Sequence, residues 1–524
     1  MFNLSVILED SAREVPRRHA LVWGGARLSY AMLNSAANQV ANMLRSRGIG
    51  PGDKVALCCP NMPQFPMIYF AILKAGAVVV PLNTLLDSWE FAYHLDDSDA
   101  KIFFCFEGTA DLPIGERGFA GFQRAASCEH FIVIPVNWAS KVSPIAGAEV
   151  LRQAVARHSV VFGTVATDPG DTAVILYGSG TPGRNALGAE LSHLSMLLNA
   201  ITIDSLLPRA THDRYLVALP LFHSFGQTVC MNMGLYRRAT LVMLSHFEPR
   251  AALAVMQQEH VTFLAGVPTM YWSLLTNGGT GDSEDTGGAE YFNIKQIAAD
   301  LNAAVCSGAA LPAAVRRRFT QRFGVELIEG YGLSETSYAT SLSRPGRPAK
   351  PGSAGQPIWG VEMKLVDPNW NDIHGAGPGE VVIRGHNVMK GYYKRPAETA
   401  EVMRDGWFRT GDIGRRDDGN YYIIGRSRDV IVRDGVTIYP REIEEVLIAH
   451  PQVSLASVTG VPDDEHGEEI KAYVIRAQGS TIRDQELVAW CAGALPADRY
   501  PRLVEFRDTL PMTAIGKILK PELD

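Results

Sequence analysis

DTAVILYGSGTPGRNALGAELSH, residues 171–193, is the stretch on which the fold turns. An apolar run, residues 173–176, opens into a loop that holds Gly178, Ser179, Gly180, Thr181, Gly183 and Arg184. Glycines let backbone N–H groups approach an anion, and serine and threonine hydroxyls add further donors. A strand that empties into such a loop has the makings of a phosphate cradle. It is not the Walker pattern, because no Lys-Ser or Lys-Thr pair closes it. Taken alone, the stretch reads equally well as an ordinary strand–turn–helix connection.

The same unit recurs along the chain. DRYLVALP (213–220), VTFLAGVP (261–268) and AAVCSGAAL (303–311) are short apolar runs that stop at a turn. Upstream, residues 28–48 carry apolar positions at helical spacing and end at a glycine. Residues 53–60 read as a buried strand, and 67–83 as a helix followed by a strand. Strands alternating with helices predict an α/β architecture with largely parallel sheets. TNGGTGDSEDTGG (276–288) and SRPGRPAKPGSAGQP (343–357) read as loops, the first a surface insertion. Past residue 355 the character shifts to short β-type runs: EVVIRG, YYIIGR, DVIVRDG. After residue 440 come a helix, two strands and another helix. The predicted organisation is a large N-terminal unit, residues 1–427, and a small α+β unit, residues 428–524.

Composition excludes several classes. With 524 residues, a net charge of −7 and no dense Lys/Arg block, the chain does not read as a nucleic-acid binder. Its 46% hydrophobic and 20% charged residues are those of an ordinary soluble enzyme. The seven cysteines are scattered without metal-type spacing, which predicts a reduced, cytoplasmic chain. The N-terminus has early charges and no long apolar core, so it does not read as a signal peptide. No run reaches the ~18 apolar residues of a membrane span.

Further stretches carry chemistry. LPLFHSFGQ (220–228) sets His223 just after a strand, where a structural histidine is the commoner case. YGLSET (331–336) combines an aromatic ring, a glycine, a hydroxyl and a carboxylate. Tyr331 could stack on a purine and Glu335 could hold Mg²⁺ through hard oxygens; a polar helix start is the alternative. WFRTGDIG (407–414) sets Asp412 in a predicted tight turn, where a carboxylate could take ribose hydroxyls or no ligand at all. GRSRDVIVRDGVTIYPREIE (425–444) and PMTAIGKILK (511–520) complete the set.

In this order and spacing the stretches resemble the adenylate-forming superfamily of acyl-CoA synthetases, luciferases and peptide-synthetase adenylation domains, over essentially the whole chain. The histidine of LPLFHS is similar to that of fatty and aromatic acyl-CoA ligases. The resemblance implies stacked αβα sheets, a small β-barrel-like region and a mobile C-terminal lid with its hinge near Arg428. It implies two half-reactions: a carboxylic acid and ATP-Mg²⁺ give acyl-AMP and pyrophosphate, then CoA takes the acyl group. By resemblance, Gly308, Ala309, Ala310 and Tyr331 surround adenine, and Ser334 meets the α-phosphate. Glu335 holds Mg²⁺, Asp412 takes the ribose with Arg426 nearby, and Lys517 bridges carboxylate and α-phosphate. His223 orients the acyl carbonyl. Phe225, Gly226, Met231, Gly266 and Gly332 line the acyl pocket, and Gly435 lies where pantetheine passes.

The loop departs from the family's pattern, roughly Thr-Ser-Gly-Thr-Thr-Gly-x-Pro-Lys-Gly. Hydroxyls are missing at Gly178 and Pro182, Pro182 also lacks an N–H donor, and Ala186-Leu187 stand at the lysine. Each charge-assisted hydrogen bond contributes about 1.5–3 kcal/mol, so several losses would slow adenylation by about 10³-fold or more. The losses fall on the pyrophosphate side and leave the adenylate side intact. The expectation is an enzyme that turns preformed acyl-AMP and CoA into acyl-CoA, supplied by a separate adenylating ligase. Such a ligase is similar to the thioesterifying enzymes of platensimycin- and platencin-type diterpenoid biosynthesis, which implies a polycyclic acyl group. Lys517 is retained, Ile515 replaces a hydroxyl residue, and Asp434 and Thr437 depart from the lid motif. A complete medium- or long-chain fatty acyl-CoA ligase, an adenylation domain serving a carrier protein, and a non-catalytic acyl or nucleotide binder stay open; a homodimer is compatible with each.

Overall fold

The computed structural model describes residues 2–140, 142–178, 186–276, 292–347, 350–375, 377–477, 479–513 and 516–523. The loop positions Ser179, Gly180, Thr181, Gly183 and Arg184, the centre of the 276–288 insertion and Ile515 lie outside these residues.

Four sheets form among the described residues. A seven-stranded sheet contains Lys54–Cys58, Val78–Pro81, Ala100–Phe106 and Thr172–Tyr177 in parallel. A nine-stranded sheet contains Arg214–Val217, Phe263–Gly266, Ala303–Cys306 and Leu327–Leu333, also parallel. All but Ala100–Phe106 and Leu327–Leu333 are apolar runs that the sequence marks as strands. Near-continuous apolar strands of this kind belong in parallel sheets covered on both faces. The helix Gln64–Lys74 is buried at every residue. It packs along two strands of the first sheet, and its Tyr69 hydroxyl reaches Gln227 at 3.5 Å. A helix apolar all round belongs between layers.

The first sheet ends in a hairpin. Thr172–Tyr177 pairs antiparallel with Gly188–Ser192, with Tyr177 opposite Gly188. The predicted phosphate loop therefore connects two strands rather than a strand and a helix. The helix His193–Leu206 starts only after the second strand, capped by Ser192. Gly188 is required here, because a Cβ would stand 2.6 Å from the Ile175 side chain.

The β-type runs EVVIRG and YYIIGR belong to an antiparallel five-stranded sheet that includes Gly379–Gly385, Trp407–Asp417 and Asn420–Arg426, and DVIVRDG belongs to the next sheet. A last sheet, with Ile431–Arg433, Val453–Asp463 and Gly467–Arg476, packs the helices Pro440–Ile448 and Asp484–Ala494. Its apolar core runs from Ile431 to Cys491 and is separate from the main core. All seven cysteines are free and buried. No helix among the described residues is long and apolar enough to cross a membrane.

Candidate functional site

The parallel strands of the nine-stranded sheet end where the candidate residues begin, the usual position of a site in an open α/β sheet. Leu327–Leu333 carries Tyr331 and leads into a single 3₁₀ turn, Ser334–Thr336, that holds Ser334 and Glu335. Gly332 has a backbone reason to be glycine: a Cβ there would lie 1.3 Å from the Tyr338 carbonyl oxygen.

Asp412 is 4% exposed. It lies within the strand Trp407–Asp417 and not in the tight turn that its motif predicts. The strand kinks at Gly411, where φ is +73°, a conformation that glycine takes without strain. The Gly411 N–H donates to Glu380 at 2.9 Å, and Glu380 is paired with Arg409 at 2.9 Å. The Tyr331 hydroxyl donates to Asp412 Oδ2 at 2.6 Å, and Arg426 Nε lies 3.2 Å from Oδ1. Burial first, and the Asp412 charge second, raise the Tyr331 phenol well above its usual range. Tyr331 stays a neutral donor.

Lys517 comes from the other end of the chain. Its turn is closed by Thr513 N–H to Lys517 O and Gly516 N–H to Thr513 O, both 2.8 Å. Gly516 has φ +75°, and a Cβ there would stand 2.7 Å from Thr269 Oγ1. The same Val267 side chain neighbours Gly516 and Gly308, so this turn meets the exposed Gly308-Ala309-Ala310 turn over one valine. Burial, then the Arg426 charge, lowers the Lys517 ammonium to about 8. Burial, then the Lys517 charge, lowers His223 to about 4. His223 is thus neutral at pH 7. Its Nδ1 accepts the Phe225 N–H at 3.3 Å, which assigns the ring proton to Nε2.

Glu335 completes the cluster. Burial raises its carboxyl above the usual range, and the Tyr392 hydroxyl donates to Oε1 at 3.2 Å. Among the described residues no group of three or more His, Cys, Asp or Glu could hold a metal ion. A half-buried carboxylate met by its own backbone N–H and the neutral Tyr392 hydroxyl, with the Arg426 charge further off, suits Mg²⁺, which takes one or two protein carboxylates and fills its shell with phosphate oxygens and water. A Cβ built on Gly178 would face Glu335 Oε1 at 3.7 Å, and Gly178 N–H donates to Leu187 O at 3.4 Å. The two ends of the loop therefore stand beside Glu335.

The expected acyl-pocket residues sit deeper. Phe225 is 2% exposed and Met231 0%, the latter within a π-helical segment, Gly226–Asn232. Such segments cluster at functional sites. A Cβ on Gly226 would meet Pro220 O at 2.3 Å, and on Gly266 the Tyr271 ring at 3.3 Å. Gly435 is not brought to the site. It is the exposed tip of the hairpin Ile431–Ile438, with φ +75° and nothing within 4 Å of a Cβ. Arg428 lies in the short 3₁₀ turn Ser427–Asp429 between the third and fourth sheets. Sequence reasoning missed Tyr392 and Tyr338. Each acts through contacts across the fold, and no local pattern marks them.

Residues 8–393 match the AMP-binding enzyme family, and residues 442–517 match the AMP-binding enzyme C-terminal domain. A feruloyl-CoA synthase from an Amycolatopsis species is 34% identical, over 98% of this chain and 96% of the relative. The crystal structure of ATP-bound MatB from Rhodopseudomonas palustris superposes with a TM-score of 0.87 at 30% identity, covering 100% of this chain and 98% of that one. The anthranilate CoA ligase AuaEII in complex with anthranoyl-AMP superposes with a TM-score of 0.88 at 26% identity, covering 100% of this chain and 96% of that one.

Proposed function

Because the chain belongs to the AMP-binding enzymes, with both their main and C-terminal domains, we propose that it is an acyl-CoA ligase specialised for the second half-reaction. It takes acyl-AMP and CoA and releases acyl-CoA and AMP. The CoA sulfur forms a bond to the acyl carbon, the mixed-anhydride C–O bond breaks, AMP leaves as its phosphate anion, and the thiol proton goes to solvent.

One observation carries the reading. The residues suited to an adenylate converge, while the loop suited to pyrophosphate lacks its lysine and two hydroxyls. Asp412, fixed by Tyr331 and Arg426, takes the ribose. Ser334 faces the α-phosphate, and the Gly308–Ala310 turn lies along adenine. Neutral His223 offers its Nε2–H to the acyl oxygen. Lys517 carries the charge that adenylation needs and serves a slow first half-reaction. Mg²⁺ would be held by Glu335, and when bound it supplies charge neutralisation to the phosphates. Arg428 is the hinge at the boundary between residues 427 and 428, and Gly435 is the position that the CoA arm passes once the lid has turned. Being related to CoA ligases supports CoA as the acceptor.

The test is repair. Restoring the loop's missing lysine and the hydroxyls at 178 and 182 should raise ATP-dependent pyrophosphate release by about 10²-fold or more. Thioester formation from acyl-AMP should stay unchanged. A repaired chain no faster than the parent would refute the loop as the cause.

A further inference from the structure

The parallel strands Ala303–Cys306 and Leu327–Leu333 lead to the candidate site at their C-terminal ends. Their first residues face a different space. Ala303 and Leu327 border a cavity of about 570 Å³ where the strands begin, a volume that suits a small ligand. Six steps of strand, about 20 Å, separate Leu327 from Leu333, so the cavity is no part of the adenylate site.

Its charges are unevenly matched. Arg316 is paired with Glu329 at 3.1 Å, and Lys350 with Asp418 at 3.0 Å. Arg344 and Arg347 stand at the two ends of a turn, closed by Arg347 N–H to Arg344 O at 3.2 Å and bent at Gly346, where φ is +77°. Both line the cavity, and neither has an acidic partner among the described residues. Arg344 Nη2 donates to Pro357 O at 2.6 Å, while its Nη1 is buried with no hydrogen-bond partner. Burial, then the Arg347 charge, lowers the Arg344 guanidinium. A part-buried cation beside a second cation is unfavourable. A dianion shared by the two would offset both effects, and guanidinium donors match phosphate oxygens in geometry. The remaining charged group of the lining is Glu326, which is exposed and has no cationic partner among the described residues. Its carboxylate would repel a bare anion and accept hydrogen bonds from hydroxyls. No aromatic ring is present in the described lining to stack on a nucleobase.

We propose that this cavity is a second ligand site, one that takes a small sugar phosphate. Arg344 and Arg347 hold the phosphate, and Glu326 accepts from the sugar hydroxyls. The inference is independent of the acyl-adenylate reading.

The experiment reads binding to the full chain, with the adenylate site filled by 5′-O-sulfamoyladenosine. Ribose 5-phosphate, inorganic phosphate and ribose are each titrated calorimetrically. Ribose 5-phosphate should bind about 10-fold tighter than inorganic phosphate or more, and ribose should give no heat. Arg344→Gln and Arg347→Gln should each weaken ribose 5-phosphate by about 10-fold or more, the loss of one charge-assisted contact. Glu326→Ala should remove its preference over inorganic phosphate. Arg347 and Glu326 are exposed, so their variants decide the matter even where Arg344→Gln fails to fold. Sulfamoyladenosine should bind the parent and every folded variant equally, which keeps the two sites apart. No binding of ribose 5-phosphate overturns the proposal, as does binding that Arg347→Gln leaves unchanged or that inorganic phosphate equals in the parent. Failure of sulfamoyladenosine to bind would instead count against the adenylate site, and the ribose 5-phosphate ranks would still decide this one.

Discussion

At the residue scale, Lys517 is the most informative side chain. It is held in the site although its ammonium is partly desolvated and lies near the Arg426 and Arg428 guanidiniums. Asp412 and Asp429 offset that penalty in part. With its pKa lowered to about 8, the charged form dominates below that pH and is lost above it. If adenylation uses this cation as proposed, residual ATP-dependent adenylation should fall as pH rises through about 8, while thioester formation from acyl-AMP shows no such step. A Lys517→Ala chain should lose about 10²- to 10³-fold in pyrophosphate release, the usual effect of removing one charge-stabilising donor. It should keep its rate from acyl-AMP. Pyrophosphate release and thioester formation, each followed against pH, check both statements. Equal loss in the two assays would contradict the assignment.

At the element scale, the hairpin Leu327–Leu342 carries the greatest demands. Its strands approach so closely that the Gly332 Cα leaves no space for a methyl group, and the register shifts at Tyr331/Gly332. Beside this shift Tyr331 meets Asp412 and Glu335 faces Gly178. Gly332→Ala has no flexible side chain to displace, only backbone. It should destabilise the chain by about 3 kcal/mol or more, beyond ordinary overpacking. A thermal melt would register this, and an unchanged melting temperature would disprove the close approach. Much of this scale was legible in advance. The strand-then-turn units became parallel strands because apolar runs of that length, bounded by turn residues, have few other places to go. Asp412 was misjudged because Gly411 kinks a strand as readily as it ends one, and the local sequence does not distinguish the two. The hairpin at Tyr177/Gly188 was missed for a related reason: GAELS alternates apolar and polar too briefly to declare a strand. Tyr392 reaches Glu335 across 57 positions of sequence, and only the fold brings them together.

At the scale of the whole molecule, the C-terminal unit is docked with Lys517 inward and Gly435 outward. Arg441, at the start of the helix Pro440–Ile448, donates to the carbonyl oxygens of Ile423 and Gly352 on the body of the protein. Tyr439 lies 3.4 Å from where a Cβ of Gly425 would be. Among the described residues, the Lys517 turn over Thr269 and Val267 and the Arg441 contact hold this orientation. Local sequence carries no signal for it, because each contact joins segments distant along the chain. Hydrogen bonds from a charged donor contribute about 1.5–3 kcal/mol. Arg441→Ala should therefore lower residual adenylation by about 10-fold without slowing thioester formation, for which the proposed function has the unit turn away. A parallel fall in both rates would show that Arg441 supports the fold and not the orientation.

The proposed imbalance between the two half-reactions can be measured on one preparation. The full chain is given acid, ATP-Mg²⁺ and CoA while pyrophosphate is followed, and in parallel preformed acyl-AMP and CoA while thioester is followed. Thioester should form at least about 10³-fold faster than pyrophosphate, the deficit expected from the lost loop contacts. Pyrophosphate released as fast as thioester forms would mean that the chain is a complete ATP-dependent ligase with a silent loop.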